Sequence, residues 1–133
     1  MATIELTKDN FEEFVTKNDM VIVDFWAPWC GPCKGFASLY EAASDRHSDV
    51  VFAKVNTDDE QELAGHFNIR SIPTLMVFRE KVILFSQAGA LPAAGLESVI
   101  SQAKTLDMAQ VHADIEEQQA QQQQQVEQQE QQK

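Results

Sequence analysis

Only two cysteines occur among the 133 residues, Cys30 and Cys33, three positions apart. With both in one motif, none is left for a structural bridge, so a disulfide-stapled scaffold is excluded and the usage fits a reducing compartment. Bases are scarce too. Ten Lys and Arg stand against 21 Asp and Glu, a net charge of −11, which argues against nonspecific nucleic-acid binding because that needs a basic surface. No apolar run reaches the length of about 18 residues that a membrane-spanning helix needs, so no membrane partner is expected. The opening, Met1 to Asn10, lacks the basic-then-apolar pattern of a signal peptide. These absences together predict a cytoplasmic location. What is present, 44% apolar and 23% charged residues, is ordinary for a soluble globular chain with a core of its own.

The most informative stretch runs from Val21 to Lys34. Met20, Ile22, Asp24 and Trp26 alternate with Val21, Val23 and Phe25, so both faces of the predicted strand are largely apolar. That pattern marks a strand buried on both sides, at the centre of a sheet with helices on each face. Asp24 is out of place there, since an unpaired buried carboxylate is costly. The strand leads through Pro28 into Cys30-Gly31-Pro32-Cys33, after which helical spacing takes over. Pro32 suits the first turn of a helix, where its missing N–H costs little. Cys30 then sits at the helix N-terminus, where free N–H groups and the positive end of the dipole favour the thiolate. Cys33, one turn further in, is expected to be more buried and less ionised. The asymmetry predicts that Cys30 attacks and Cys33 resolves.

Trp29-Cys30-Gly31-Pro32-Cys33-Lys34 after Val23-Asp24-Phe25-Trp26-Ala27 resembles the active site of the thioredoxin family. Further matches follow in the family's order: Lys54 in Phe52-Ala53-Lys54-Val55-Asn56, then Ile69-Arg70-Ser71-Ile72-Pro73-Thr74-Leu75, then Gly89-Ala90. The resemblance covers about residues 2 to 106. It implies a three-layer α/β fold: a central mixed sheet of about five strands flanked by about four helices. It also implies a protein-disulfide reductase with no bound cofactor, working through a redox-active Cys30–Cys33 disulfide. Electrons would come from NADPH through a separate flavoprotein, thioredoxin reductase, and pass to disulfide-containing client proteins. In thioredoxins the attacking thiol titrates near ~7 instead of the ~8.5 of a free thiol, and the resemblance implies the same direction for Cys30.

The resemblance further assigns roles. Asp24 would take and return the Cys33 proton, its pKa raised by burial, with Lys54 on the neighbouring strand partly opposing the rise. Pro73 matches a cis proline beside the cysteines, which would turn the Ile72 backbone outward toward an extended substrate strand. Trp29, Gly31, Pro32, Gly89 and Ala90 would complete the substrate-binding rim, while Trp26 would pack behind the motif. The Gly31-Pro32 dipeptide resembles that of reducing members. Gly35 and Ser38 depart from the family, which usually carries a larger apolar residue and a proline there; Gly35 weakens the helix by about 0.5–1 kcal/mol relative to alanine.

Along the rest of the chain, Ile4-Glu5-Leu6 reads as a short strand, and Asn10 with Glu13 as a capping box for a helix carrying Phe11, Phe14 and Val15. A helix from about Pro32 to Arg46 would bury Phe36, Ala37, Tyr40 and Ala43. A strand over 50–55 and a short helix from Asp58 to His66 follow. Two strands, 75–78 and 82–85, meet at Glu80-Lys81, a poor hairpin turn because neither residue favours positive φ. Leu96, Val99, Ile100, Ala103 and Leu106 mark the last core helix. The thioredoxin-like domain is therefore expected over 1–106.

Residues 107–133 form an acidic, glutamine-rich extension with six acids and one base. Gln and Glu permit a helix, but polar tracts bury too little surface to offset chain entropy, so helix and disorder both remain open. Met108, Val111 and Ile115 begin an apolar seam that Gln then replaces, which is not a coiled-coil zipper.

The cysteine pair also has the spacing of half a zinc site. The other candidate ligands, His47, His66 and His112, lie far apart and are expected at the surface, so no metal is predicted. The runner-up function is a redox-capable, chaperone-like binding subunit docked to clients through the extension. The protein is expected to be a monomer.

Overall fold

The computed structural model describes residues 3–131, and these divide into two compact units, one ending at Ala103 and the other beginning at Lys104. In the first unit β1 (Thr3–Glu5), α1 (Phe11–Lys17), β2 (Met20–Trp26), α2 (Gly31–Arg46), β3 (Val51–Asn56), α3 (Gln61–His66), β4 (Thr74–Arg79) and β5 (Val82–Ala88) follow in order, and α4 (Ala93–Thr105) ends two residues past the boundary. The sheet order is β1-β3-β2-β4-β5. β3 pairs in parallel with both β1 and β2, whereas β4 runs antiparallel to β2 and to β5. This is the thioredoxin fold expected from the resemblance, with a mixed five-stranded sheet.

β2 takes the centre because both of its faces are apolar, and its antiparallel neighbour β4 shares this, with Leu75 and Val77 in one core and Met76 and Phe78 in the other. From Met20 to Phe25 every residue is buried. Met20 and Ile22 join Phe36, Tyr40 and Ala43 of α2 and Leu96, Ile100 and Ala103 of α4 in one core. Val21, Val23 and Phe25 join Phe11 and Val15 of α1 and Leu63 of α3 in the other. Two helices therefore cover each face, and β2 carries the motif out of the sheet between them. Tyr40 Oη lies 2.9 Å from the Ile22 carbonyl and 2.7 Å from that of Ala53, which satisfies a fully buried hydroxyl and ties α2 to the two central strands.

Several local expectations need correction. Asn10 does precede α1, but its side chain makes no capping bond to the helix; its Oδ1 accepts from the Thr7 N–H at 2.7 Å, and Glu13 pairs with Lys17. α3 starts at Gln61 and not at Asp58, because Asn56 Oδ1 accepts from the Asp58 N–H and its carbonyl from Glu60, closing a turn first. Ala37 is only half-buried. The β4–β5 turn uses Glu80 and Lys81 at φ 50° and 70°, so two non-glycine residues supply the left-handed pair that a tight hairpin needs. The Glu80 N–H donates to the Asp19 carbonyl at 2.8 Å, which holds the turn from outside the hairpin. Leu106 lies beyond α4 and is 42% exposed.

The second unit contains α5 (Met108–Gln131), a helix of 24 residues, which brings the helices among the described residues to five. Asp107 Oδ1 accepts from the Gln110 N–H at 3.3 Å, and Gln110 bonds Asp114 one turn on at 2.9 Å.

Candidate active site

Cys30 is the N-cap of α2, and it and Cys33 are joined as a disulfide with Cα atoms 5.3 Å apart. The Cys33 N–H points at Cys30 Sγ from 3.2 Å. Pro32 occupies the first turn, so the missing N–H falls where the helix has no partner for it. Cys30 and Cys33 are 4% and 3% exposed. The expected difference in burial between them is therefore absent in this oxidised state. Their inequality lies in the backbone instead, since the helix N-terminus addresses Cys30. Ala27, Trp26 and Ile72 pack around the pair, and Cys30 Sγ lies 3.7 Å from the Ile72 carbonyl oxygen.

The Ile72–Pro73 peptide is cis, Pro73 is buried, and Ile72 is half-buried. Gly89, at φ +103°, donates its N–H to the Pro73 carbonyl at 2.8 Å, so β5 delivers it to this loop. Gly31, Pro32, Gly89 and Ala90 are exposed. Trp29 is 70% exposed, yet its Nε1 donates to Asp58 Oδ1 at 3.1 Å. A groove of about 300 Å³ runs beside it, lined by Trp29, Thr57, Ile69, Arg70, Ser71 and Ile72. Gly89 and Ala90 do not line that groove.

On β2, six residues before Cys30, Asp24 is 1% exposed and neither carboxylate oxygen has a hydrogen-bond partner. Burial raises its pKa from 3.8 to about 7; Lys54 pulls it down and Glu5 pushes it up. Lys54 is the register partner of Asp24 on β3, and its Nζ sits 4.6 Å from the centre of the Trp26 ring. Tyr40 stays a neutral phenol, its pKa pushed well up by burial and by Asp24.

No three His, Cys, Asp or Glu side chains among the described residues come together as a metal site. His47 departs from the expected surface position: it is half-buried, stacks on Phe52, and meets Glu97 at 2.7 Å through Nε2. His112 is half-buried as well, while His66 is exposed and edge-on to Phe67.

Sequence reasoning missed Asp58, Thr57, Arg70, Ser71 and Glu5. A signal for the first two existed. Parallel strands end at the same edge of a sheet, and ligand sites gather at their carboxyl ends, so the residues after β3 belong beside those after β2. The Thr57 N–H and Oγ1 both donate to the Trp26 carbonyl, at 2.8 and 3.0 Å. Glu5 was hidden because only the sheet register brings it to Lys54.

The thioredoxin family profile matches residues 2–102. "Putative thioredoxin 2" of Streptomyces coelicolor is 55% identical over 119 residues, covering 90% of this chain and 89% of that protein. A match that long extends beyond residue 106, into the glutamine-rich segment. Thioredoxin of Haemophilus influenzae is 40% identical over 74% of this chain and 94% of its own length. Among solved structures, Plasmodium falciparum thioredoxin superposes with a TM-score of 0.70 at 35% identity, covering 74% of this chain and 97% of that one. A paired Cys30–Cys33 on this fold, with these relatives, makes the protein a thiol–disulfide oxidoreductase of the protein-disulfide reductase kind. The chain belongs to the thioredoxin family.

Proposed function

We propose that the protein reduces client disulfides with Cys30 as nucleophile and Cys33 as resolving thiol. In the dithiol form the Cys30 thiolate attacks one sulfur of a client disulfide. A Cys30–client bond forms, the client S–S bond breaks, and the departing thiolate takes up a proton. Cys33, deprotonated by Asp24, then attacks Cys30 Sγ; the intramolecular disulfide closes and the second client thiolate leaves. Two electrons have moved from the Cys30–Cys33 pair to the client. A carboxyl whose pKa lies near 7 suits the proton transfer, because it can both accept and return a proton near neutral pH. Lys54 tunes that carboxyl from the adjacent strand. The observation that carries the reading is the Cys33 N–H directed at Cys30 Sγ from the helix terminus.

Clients would lie across Trp29, Gly31, Pro32, Ile72, Pro73, Gly89 and Ala90, with the groove beside Trp29 accepting residues next to the disulfide. Re-reduction would use thioredoxin reductase, a flavoprotein drawing on NADPH. The working form would be a cytoplasmic monomer, supported by the commitment of both cysteines to the redox pair. We assign residues 1–106 to the thioredoxin domain and 107–133 to the Gln- and Glu-rich extension, which contains α5. The test is insulin-disulfide reduction with NADPH and thioredoxin reductase. Wild type and a chain ending at Leu106 should turn over comparably and Cys30→Ser not at all. Activity surviving in Cys30→Ser would overturn the mechanism.

A further inference from the structure

Two carboxylates and one ammonium lie in a row across three strands. Glu5 on β1 is in register with Lys54 on β3, and Lys54 with Asp24 on β2. At a strand spacing of about 4.8 Å, the Glu5 and Asp24 backbones stand about 10 Å apart with Lys54 between them. All three alternate with residues of the opposite core: Ile4 and Leu6 beside Glu5, Ala53 and Val55 beside Lys54, Val23 and Phe25 beside Asp24. Their side chains therefore share the other sheet face, the one covered by α2 and α4. Along the row exposure falls from Glu5 through half-buried Lys54 to buried Asp24.

Lys54 is not committed to Asp24. Its ammonium rests over the Trp26 ring, and the Asp24 oxygens have no hydrogen-bond partner. Its field reaches both acids: burial raises the pKa of each, and Lys54 lowers both. The other groups facing the row are the neutral Tyr40 phenol, Glu41 of α2, which accepts from Thr3 on β1 and acts on Tyr40, the uncharged disulfide packed against Trp26, and Asp59, which acts on Glu5.

We propose that Glu5 is a positioning residue for the Asp24 proton: as a second carboxylate opposite Lys54, it offsets the ammonium and lets Asp24 keep its proton. The proposal rests on Asp24 as the proton acceptor of the resolving step. It implies that a neutral or cationic residue at position 5 would leave Asp24 ionised too early in the pH range to serve as well.

The test follows the Asp24 carboxyl carbon by NMR across pH in the oxidised full-length protein, for wild type, Glu5→Asp, Glu5→Gln and Glu5→Lys. Charges about 10 Å apart in a partly buried setting shift a titration by roughly 0.3–1 unit. The Asp24 midpoint should therefore fall by about that amount in Glu5→Gln, fall further in Glu5→Lys, and stay near wild type in Glu5→Asp. The acid limb of the insulin-reduction rate should move with it. A structural role for Glu5 would not produce a series graded by charge. An unmoved midpoint in Glu5→Gln overturns the proposal. A midpoint that moves while the rate profile stays still supports the coupling and overturns instead the role given to Asp24.

Discussion

From Met20 to Phe25 every residue of β2 is buried, whereas from Glu116 to Glu130 every residue of α5 is exposed. The strand is ordered by what packs on it. Two cores and two neighbouring strands fix it so firmly that an unpaired carboxylate is tolerated at its middle. Over that exposed stretch the helix is ordered by its own backbone and by residue type, with Gln, Glu and Ala as fair helix formers, whereas its first turn buries Met108. Chemistry that needs a shifted pKa belongs on the first kind of element, because burial is the largest cause of the shift at Asp24. On the second kind, substitutions should stay local.

The sharpest break between the two regions is in turnover. Cys30→Ser, at the helix N-cap that follows β2, should lower insulin reduction at least about a thousandfold, since the nucleophile itself is lost. Removing residues 107–133 should change the rate less than about twofold. A large loss on truncation would mean that the extension shares in catalysis and would erase the contrast.

The next effect is on stability. The folded pKa of Asp24 is about 7 against an ordinary 3.8, so the folded protein binds more protons than the unfolded one between those values. Stability is lost as pH rises from about 4 to 7 and is level beyond. Asp24→Asn removes that penalty. Denaturant unfolding of the oxidised variant should show a gain on the order of 3–4 kcal/mol above pH 7, shrinking toward zero near pH 4. An equal stability difference at pH 4 and pH 8 would show that Asp24 is not buried without a partner.

Asp58→Ala should raise the client KM by about two- to fivefold with kcat little changed, because it frees the exposed Trp29 ring from a hydrogen bond worth about 0.5–1 kcal/mol. Steady-state kinetics with insulin or a peptide disulfide reads this directly. The smallest effect is expected on α5. Ala120→Gly with Gln123→Gly should lower helical circular dichroism, at about 1 kcal/mol of helix stability per glycine. The unfolding midpoint of the oxidised catalytic unit should stay in place.

The same contrast explains what could be read in the sequence. The central strand, the helix starting at Pro32 and the two cores were legible because apolar periodicity reports burial, and the fold class followed from motifs in order. Features set by distant partners were not legible. Glu80 and Lys81 form a hairpin turn that their residue types disfavour, held in part by the Asp19 carbonyl on the α1–β2 connection. Asn10 looked like a helix cap, yet its side chain answers Thr7. Asp58 reaches Trp29 across 29 positions of chain, and Glu5 reaches Lys54 only through register. The extension was ambiguous because residue type alone cannot choose between a solvated helix and a coil.

The central claim is that a helix terminus makes two equally buried sulfurs unequal. Its most direct measurement is the pH titration of thiolate absorbance in the reduced protein, with Cys33→Ser isolating Cys30. The account predicts that Cys30 is half-ionised well below the ordinary ~8.5 of a free thiol. A Cys30 thiol still mostly protonated at pH 8.5 would contradict it.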